Sequence, residues 1–161
     1  MIVRYSIMEK KKNIKIIAKN HKARHRFAII DTFEAGIELK GTEVKSIRNG
    51  KVQISDAYAS VNERGELIVF NLHIAPYEHG TVWNHNPDRP RRLLMHKREI
   101  LRLKTRIEQQ GYTLPVLQVY FKKQFAKIAI GLGKGKKMTD RRQEIAQRIA
   151  DRQMARARKR Y

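Results

Sequence analysis

The sequence predicts a mainly β fold: a small barrel of about six strands with peripheral helices and a basic C-terminal tail. Three observations lead there. Short runs rich in β-branched and aromatic residues recur between residues 26 and 132, with turn signals between them. Inside that region only two stretches carry helical spacing, one early and one late. Beyond residue 133 the strand pattern stops and Lys and Arg dominate. A chain of 161 residues fits one such domain plus a tail.

Taken in order, residues 1–19 read as a basic, flexible or loosely docked arm. Within it Met8 precedes the polar run Glu9-Lys10-Lys11-Lys12-Asn13, so translation is expected to begin at Met8. Residues 26–33 form a first strand, Glu34-Ala35-Gly36 a turn, and 37–39 a second strand. Thr42 to Asn49 reads as a short helix, with Thr42 as N-cap, Val44 and Ile47 on one face and Gly50 past its end. Two strands, 52–61 and 66–71, flank the hairpin turn Asn62-Glu63-Arg64-Gly65. Residues 78–90 are a polar loop with Pro87 and Pro90. The clearest helix is 96–110, where Ile100, Leu103 and Ile107 recur at helical spacing before Gly111. Strands 113–121 and 126–132 close the set, leaving 20–133 as the barrel. The pattern is compatible with an OB-like barrel, although strand order cannot be read from periodicity.

Charge narrows the function. There are 36 Lys plus Arg against 15 Asp plus Glu, a formal net charge of +21. Such self-repulsion costs a folded domain stability, so it implies a polyanionic partner, and counterion release from nucleic acid is the usual driving force. A membrane surface is the competing polyanion. No long apolar run or aromatic-faced amphipathic helix supports it, and no secretory leader is visible. The absence of cysteine removes disulfides, thiolate-bound zinc and thiol catalysis, and fits a cytoplasmic setting.

No catalytic arrangement stands out. The acids are scattered among basic neighbours, and neither Gly-x-Ser-x-Gly nor a phosphate-binding Gly-x-x-x-x-Gly-Lys-Ser/Thr occurs. Gly131-Leu132-Gly133-Lys134-Gly135 is a weak nucleotide-loop signal and a reasonable hinge. His21 and His25 have metal-pair spacing but sit among Lys22, Arg24 and Arg26, where a cation is repelled. His79 and His85 share a loop with Trp83 and have no assigned role. No metal or cofactor is expected.

The binding features are stronger. Basic residues interleave with apolar and aromatic ones in three clusters: Asn20 to Phe27, with Lys22 and Arg24; Lys45, Arg48 and Lys51; and Arg89 to Leu94, with Arg91 and Arg92. These suit phosphate contacts, with His, Phe or Trp available to stack on unpaired bases. Each cluster alone could be a solvated basic surface; three together with the tail argue otherwise. The tail, 134–161, holds eleven basic and three acidic side chains, and Ile145 and Ile149 are its strong apolar pair. It reads as an arm that orders on a polyanion, in preference to a helix packed on the barrel.

The same clusters carry a family likeness. Asn20, Lys22-Ala23, Phe27 and the run Phe33-Glu34-Ala35-Gly36-Ile37-Glu38-Leu39-Lys40-Gly41-Thr42-Glu43-Val44-Lys45-Ser46-Ile47-Arg48 resemble the SmpB (SsrA-binding protein) signature. So do Gly50-Lys51-Val52, Asp56-Ala57-Tyr58, Asn86-Pro87, Arg89-Pro90-Arg91-Arg92-Leu93-Leu94-Met95, Glu99-Ile100, Gly111-Tyr112-Thr113-Leu114, Lys127-Ile128-Ala129-Ile130-Gly131 and Gly135-Lys136-Lys137 with Asp140-Arg141-Arg142. The resemblance covers about residues 13–142.

The resemblance implies an OB-fold barrel and a non-catalytic adaptor. The expected partner is the tRNA-like domain of transfer-messenger RNA (SsrA RNA). The adaptor brings that RNA to stalled ribosomes for peptide tagging and ribosome rescue, and through it meets alanyl-tRNA synthetase and elongation factor Tu. It places RNA-binding roles on Asn20, Glu34 and Leu94. Glu34 would accept hydrogen bonds from base or sugar donors or hold a basic neighbour in place; otherwise it is an ordinary turn carboxylate. For the tail it implies disorder when free, and a helix in the message channel near the small-subunit decoding centre when bound. Lys134, Lys136, Lys137, Asp140, Arg141 and Arg142 are the tail candidates. Two departures are Arg141, where the family usually has Lys, and Thr139, where some members carry His. A structural ribosomal or general RNA-binding protein, and an RNA-processing enzyme on a small barrel, are the other readings.

Overall fold

A computed structural model describes residues 14–80 and 84–158. The expected start at Met8, most of the N-terminal arm and Trp83 lie outside these residues.

Six strands close into a barrel. They are β2 (Phe27–Ile37), β4 (Tyr58–Val61), β5 (Leu67–Phe70), β7 (Arg91–Leu94), β8 (Leu114–Lys122) and β9 (Phe125–Gly135). Antiparallel pairing runs β8–β4–β5–β7–β2–β9, and β9 returns to β8, which closes the ring. Two further elements decorate it: β1 (Ile14–Lys19) adds to β8, and β3 (Val52–Gln53) pairs with β6 (His73–Ile74). The helices are α1 (His21–Arg26), α2 (Gly41–Arg48), α3 (Lys97–Gln110) and α4 (Met138–Arg158).

Alternation builds the core. Ala35 and Ile37 of β2, Leu67 and Val69 of β5, Leu93 of β7, Val116 of β8, and Ile128, Ile130 and Leu132 of β9 point inward with little or no exposure. Ile100 and Leu103 bury the apolar stripe of α3, and Ile47 does the same for α2. Gly111 ends α3 in the left-handed region, as its position in the sequence suggests.

Several elements differ from the sequence reading. Residues 14–19 form a strand, because Ile14 to Lys19 pair with Lys122 to Gln118. Glu34-Ala35-Gly36 is not a turn: β2 runs unbroken through it, held by β9 on one side and β7 on the other. Lys40, rather than Thr42, is the N-cap of α2. Its backbone N–H donates to Glu43 Oε2 at 2.7 Å, which leaves the Thr42 hydroxyl free to pair with His85. The expected strand 52–61 is split between two sheets. Gly131 and Gly133 are no hinge but part of β9, and a Cβ at Gly133 would stand 2.3 Å from the Ala28 carbonyl oxygen. Strand β9 continues through Gly135, two residues into the expected tail.

Candidate nucleic-acid interface

The outward face of the barrel carries three of the expected residues, Glu34, Arg92 and Leu94. On β2, Glu34 and Gly36 point out between the inward Ala35 and Ile37. Gly36 lies opposite Leu94 of β7 and Lys127 of β9, while Glu34 lies opposite Ala129. Lys127 in turn faces Tyr120 of β8. Arg92 sits two residues before Leu94 on the same outward side of β7.

Glu34 is held by its neighbours. The Tyr120 hydroxyl donates to Glu34 Oε2 at 2.5 Å, and Lys122 Nζ lies 3.4 Å and Lys127 Nζ 3.8 Å from Glu34 Oε1. Partial burial works to raise the pKa of the carboxyl. The Tyr120 hydrogen bond and the two lysines outweigh it and hold the group below the usual range. Burial and the same carboxylate push the Tyr120 phenol well above its ordinary value. Of the roles open to Glu34 from sequence, holding basic neighbours in place is the one these contacts support. Tyr120, Lys122 and Lys127 were missed by sequence reading; only the strand register brings residues 86 to 93 positions away to Glu34.

Leu94 is 51% exposed, unusual for a leucine in a barrel strand. A Cβ at Gly36 would come within 3.2 Å of the Leu94 Cβ, so the absence of a side chain there seats Leu94. Beside it runs a groove lined by Arg64, Arg92, Lys97, Leu101 and Lys104, with Glu66 as its acid. Arg92 Nε lies 3.7 Å from Glu66, an exposed pairing that leaves the guanidinium accessible.

Arg91 does not belong to this surface. Its side chain has no exposure, and its guanidinium is spent internally: Nε donates to Glu43 Oε1 at 2.8 Å, Nη1 to the Leu72 and Arg89 carbonyls, and Nη2 to the Pro87 carbonyl. Arg89 also donates twice to Glu43. Alternation along β7 explains the correction: Arg91 and Leu93 face in, Arg92 and Leu94 face out. Glu43, the buried partner, gave no signal in the sequence beyond a helix-start carboxylate. Burial alone would raise its pKa; Arg89, the Lys40 N–H and Arg91 outweigh that and lower it.

Asn20 is structural as well. Its Oδ1 accepts from the Ala23 N–H and caps α1, while its Nδ2 donates to the carbonyls of Ile54, Ser55 and Val116. That ties α1, the β3–β4 connection and β8 at one point, with Lys22 and Arg24 exposed on α1. Lys45 and Arg48 are exposed on α2; Lys45 lies over the Tyr77 ring and Arg48 over the Phe121 ring. Lys51 pairs with Glu78.

In the tail region, Lys134 belongs to β9 and lies over the Tyr112 ring; the Lys136 N–H donates to the Arg26 carbonyl. Lys137 and Arg142 are exposed. Asp140 and Arg141 fall in the first turn of α4, and their side chains lie outside the described ones. Ile145 and Ile149 are 55% and 51% exposed, so α4 does not bury its apolar pair on the barrel.

His85 is buried. Its Nε2 donates to the Ile74 carbonyl at 3.0 Å and its Nδ1 is hydrogen-bonded with the Thr42 hydroxyl at 2.9 Å, so the ring is a structural bridge. Among the described residues no group of three His, Asp or Glu side chains converges on a metal-sized site, and no helix is long and apolar enough to cross a membrane.

The SmpB protein family profile matches residues 17–160. The chain belongs to the SmpB family. Relatives in that family include the SsrA-binding protein of Carboxydothermus hydrogenoformans, 55% identical over 89% of this chain and 95% of its own length. The SsrA-binding protein of Microcystis aeruginosa is 52% identical over 91% of this chain and 96% of its own length. A solved chain from "tmRNA-SmpB: a journey to the center of the bacterial ribosome" is 50% identical, covers 75% of this chain and 85% of its own, and superposes with a TM-score of 0.63.

Proposed function

We propose that this SmpB-family protein is a non-catalytic adaptor that binds the tRNA-like domain of transfer-messenger RNA. It delivers that RNA to stalled ribosomes for trans-translation. One observation carries the reading. A chain more than half identical to an SsrA-binding protein presents Glu34, Leu94 and Arg92 on one outward sheet face, with Lys122 and Lys127 beside them. That face is suited to a folded RNA: cations for phosphates, an exposed leucine for a base or ribose face, and a carboxylate that keeps the lysines in register. Residues 138–161 then serve a second partner, the message channel near the small-subunit decoding centre. Alanyl-tRNA synthetase and elongation factor Tu are met through the bound RNA. The setting is cytoplasmic, and no cofactor is required.

The test is a gel-shift titration against the tRNA-like domain of SsrA RNA and an unrelated RNA duplex of equal length. Tighter binding to the tRNA-like domain is expected. Equal affinity for both would replace the adaptor with a general RNA binder, and shortened or modified RNA after prolonged incubation would favour an enzyme.

A further inference from the structure

We infer that Phe125, at the tip of the β8–β9 hairpin, is a stacking contact for an unpaired base of the same RNA that engages the Glu34 and Leu94 face. The inference rests on the function proposed above.

Phe125 is 70% exposed, the most exposed large apolar side chain among those described. An apolar ring left in water on a hairpin tip gains nothing for the fold, whereas a partner that covers it gains its apolar area. It is not an isolated exposure. Phe125 lies opposite Lys122, and Lys122 lies opposite Ile14 on β1. Ile14 and Ile16 are themselves 49% and 44% exposed. The register thus draws one line across three strands, from Ile14 through Lys122 to Phe125, with Ile16 two residues along β1.

Charge selects the occupant. The hairpin segment from Tyr120 to Lys127 contains Lys122, Lys123 and Lys127 and no acid. The acid that reaches it is Glu34, which the lysines already neutralise. An aromatic ring flanked by lysines matches a base with its phosphates, because the ring takes the base face and the ammonium groups take the backbone. A purely apolar protein partner would have to desolvate those lysines without compensation.

Continuity assigns the RNA. Lys122 touches both ends of the surface: it is register-paired with Phe125 and lies 3.4 Å from Glu34. A folded RNA seated on Glu34 and Leu94 therefore reaches the hairpin without crossing a gap in the sheet. The turn aids the presentation. Lys123 adopts φ 59°, closing a two-residue connection through Gln124 that sets Phe125 as the first residue of β9.

The experiment is a gel-shift titration of full-length wild type, Phe125→Ala and Phe125→Trp against the tRNA-like domain of SsrA RNA at several salt concentrations. A second arm measures binding to purified ribosomes. Phe125→Ala is expected to bind the RNA about tenfold more weakly or worse, by the scale of single base–aromatic contacts. Its salt slope should match wild type, because no charge is removed. Phe125→Trp should restore the affinity. Unchanged thermal melting, expected for so exposed a side chain, excludes misfolding as the cause. If wild type binds the RNA and Phe125→Ala binds equally well, the stacking contact is overturned. Loss confined to the ribosome arm overturns the assignment to this RNA. If wild type itself fails to prefer the tRNA-like domain, the proposed function falls first.

Discussion

The Tyr120 hydroxyl donates to Glu34 at 2.5 Å, across residues 86 positions apart in the chain. The pair sits on the outward sheet face, so it governs the surface rather than the core. Replacing Glu34 with Ala frees Lys122 and Lys127 from a common anchor and strips Tyr120 of its acceptor. The expected result is weaker binding to the tRNA-like RNA with a stability loss of about 1 kcal/mol or less, the scale of a partly exposed hydrogen bond and screened ion pairs. Gel shift and thermal melting, run side by side, separate the two. An unchanged affinity would remove Glu34 from the site.

Leu94 gives the complementary case. It is half exposed, so Leu94→Ala should leave the melting temperature nearly unchanged while weakening RNA binding. Gly36→Ala should act through it, since the new methyl group meets the Leu94 Cβ at 3.2 Å and must displace it. Both variants are read in the same titration. If Gly36→Ala binds like wild type while Leu94→Ala does not, the seat of Leu94 does not depend on Gly36.

Arg91 and Glu43 should behave in the opposite way. Glu43→Ala leaves the buried Arg91 guanidinium without its carboxylate, at a cost of about 3–5 kcal/mol. Arg91→Ala leaves Glu43 paired with Arg89 and destabilises through the lost hydrogen bonds and the space left in the core. Urea unfolding is the measurement, and a loss of RNA affinity should appear only in proportion to the unfolded fraction. A stable Arg91→Ala protein that fails to bind RNA would reinstate Arg91 as a contact.

Acid should expose the same network. Glu43 and Glu34 both have folded-state pKa values below the usual 4.5. Their stabilisation is therefore present above that usual value and is lost as pH falls through the lowered folded value. Melting temperature is expected to be flat at neutral pH and to drop once pH passes below about 4.5. Glu43→Gln should start lower and lose less on acidification. An equally steep fall in Glu43→Gln would place the acid sensitivity elsewhere.

These predictions also mark what was legible in the sequence. Helix α3 and strands β8 and β9 announced themselves, because long periodic segments are set by local burial. Strand β1 did not: Ile14 to Lys19 adjoins lysine-rich sequence, and its partner β8 is a hundred residues away. Glu34-Ala35-Gly36 has the residues of a turn, yet Gly36 is there to admit Leu94. The basic cluster 89–94 looked uniform. Only alternation along a four-residue strand shows that Arg91 enters the core while Arg92 leaves it. Asn20 was found for its motif, and the register adds what the motif does not show: its four side-chain hydrogen bonds hold α1 in place.

The tail makes the last prediction. Its described side chains from Arg142 to Ala155 are exposed, and among them Arg148 Nη1 lies 3.4 Å from His25 Nδ1 of α1. None of the outward sheet face comes from it. Truncation must respect β9, whose pairing runs to Gly135, and the bond from the Lys136 N–H to the Arg26 carbonyl. A chain ending at Lys137 keeps both. It should fold, bind the tRNA-like RNA with full affinity, and fail to support tagging on stalled ribosomes in a reconstituted translation assay. A general polyanion binder would behave otherwise, since removing basic residues reduces the number of phosphates neutralised and lowers both affinity and salt slope. Parallel loss of RNA binding and tagging on truncation would therefore reject the division of labour between barrel and tail.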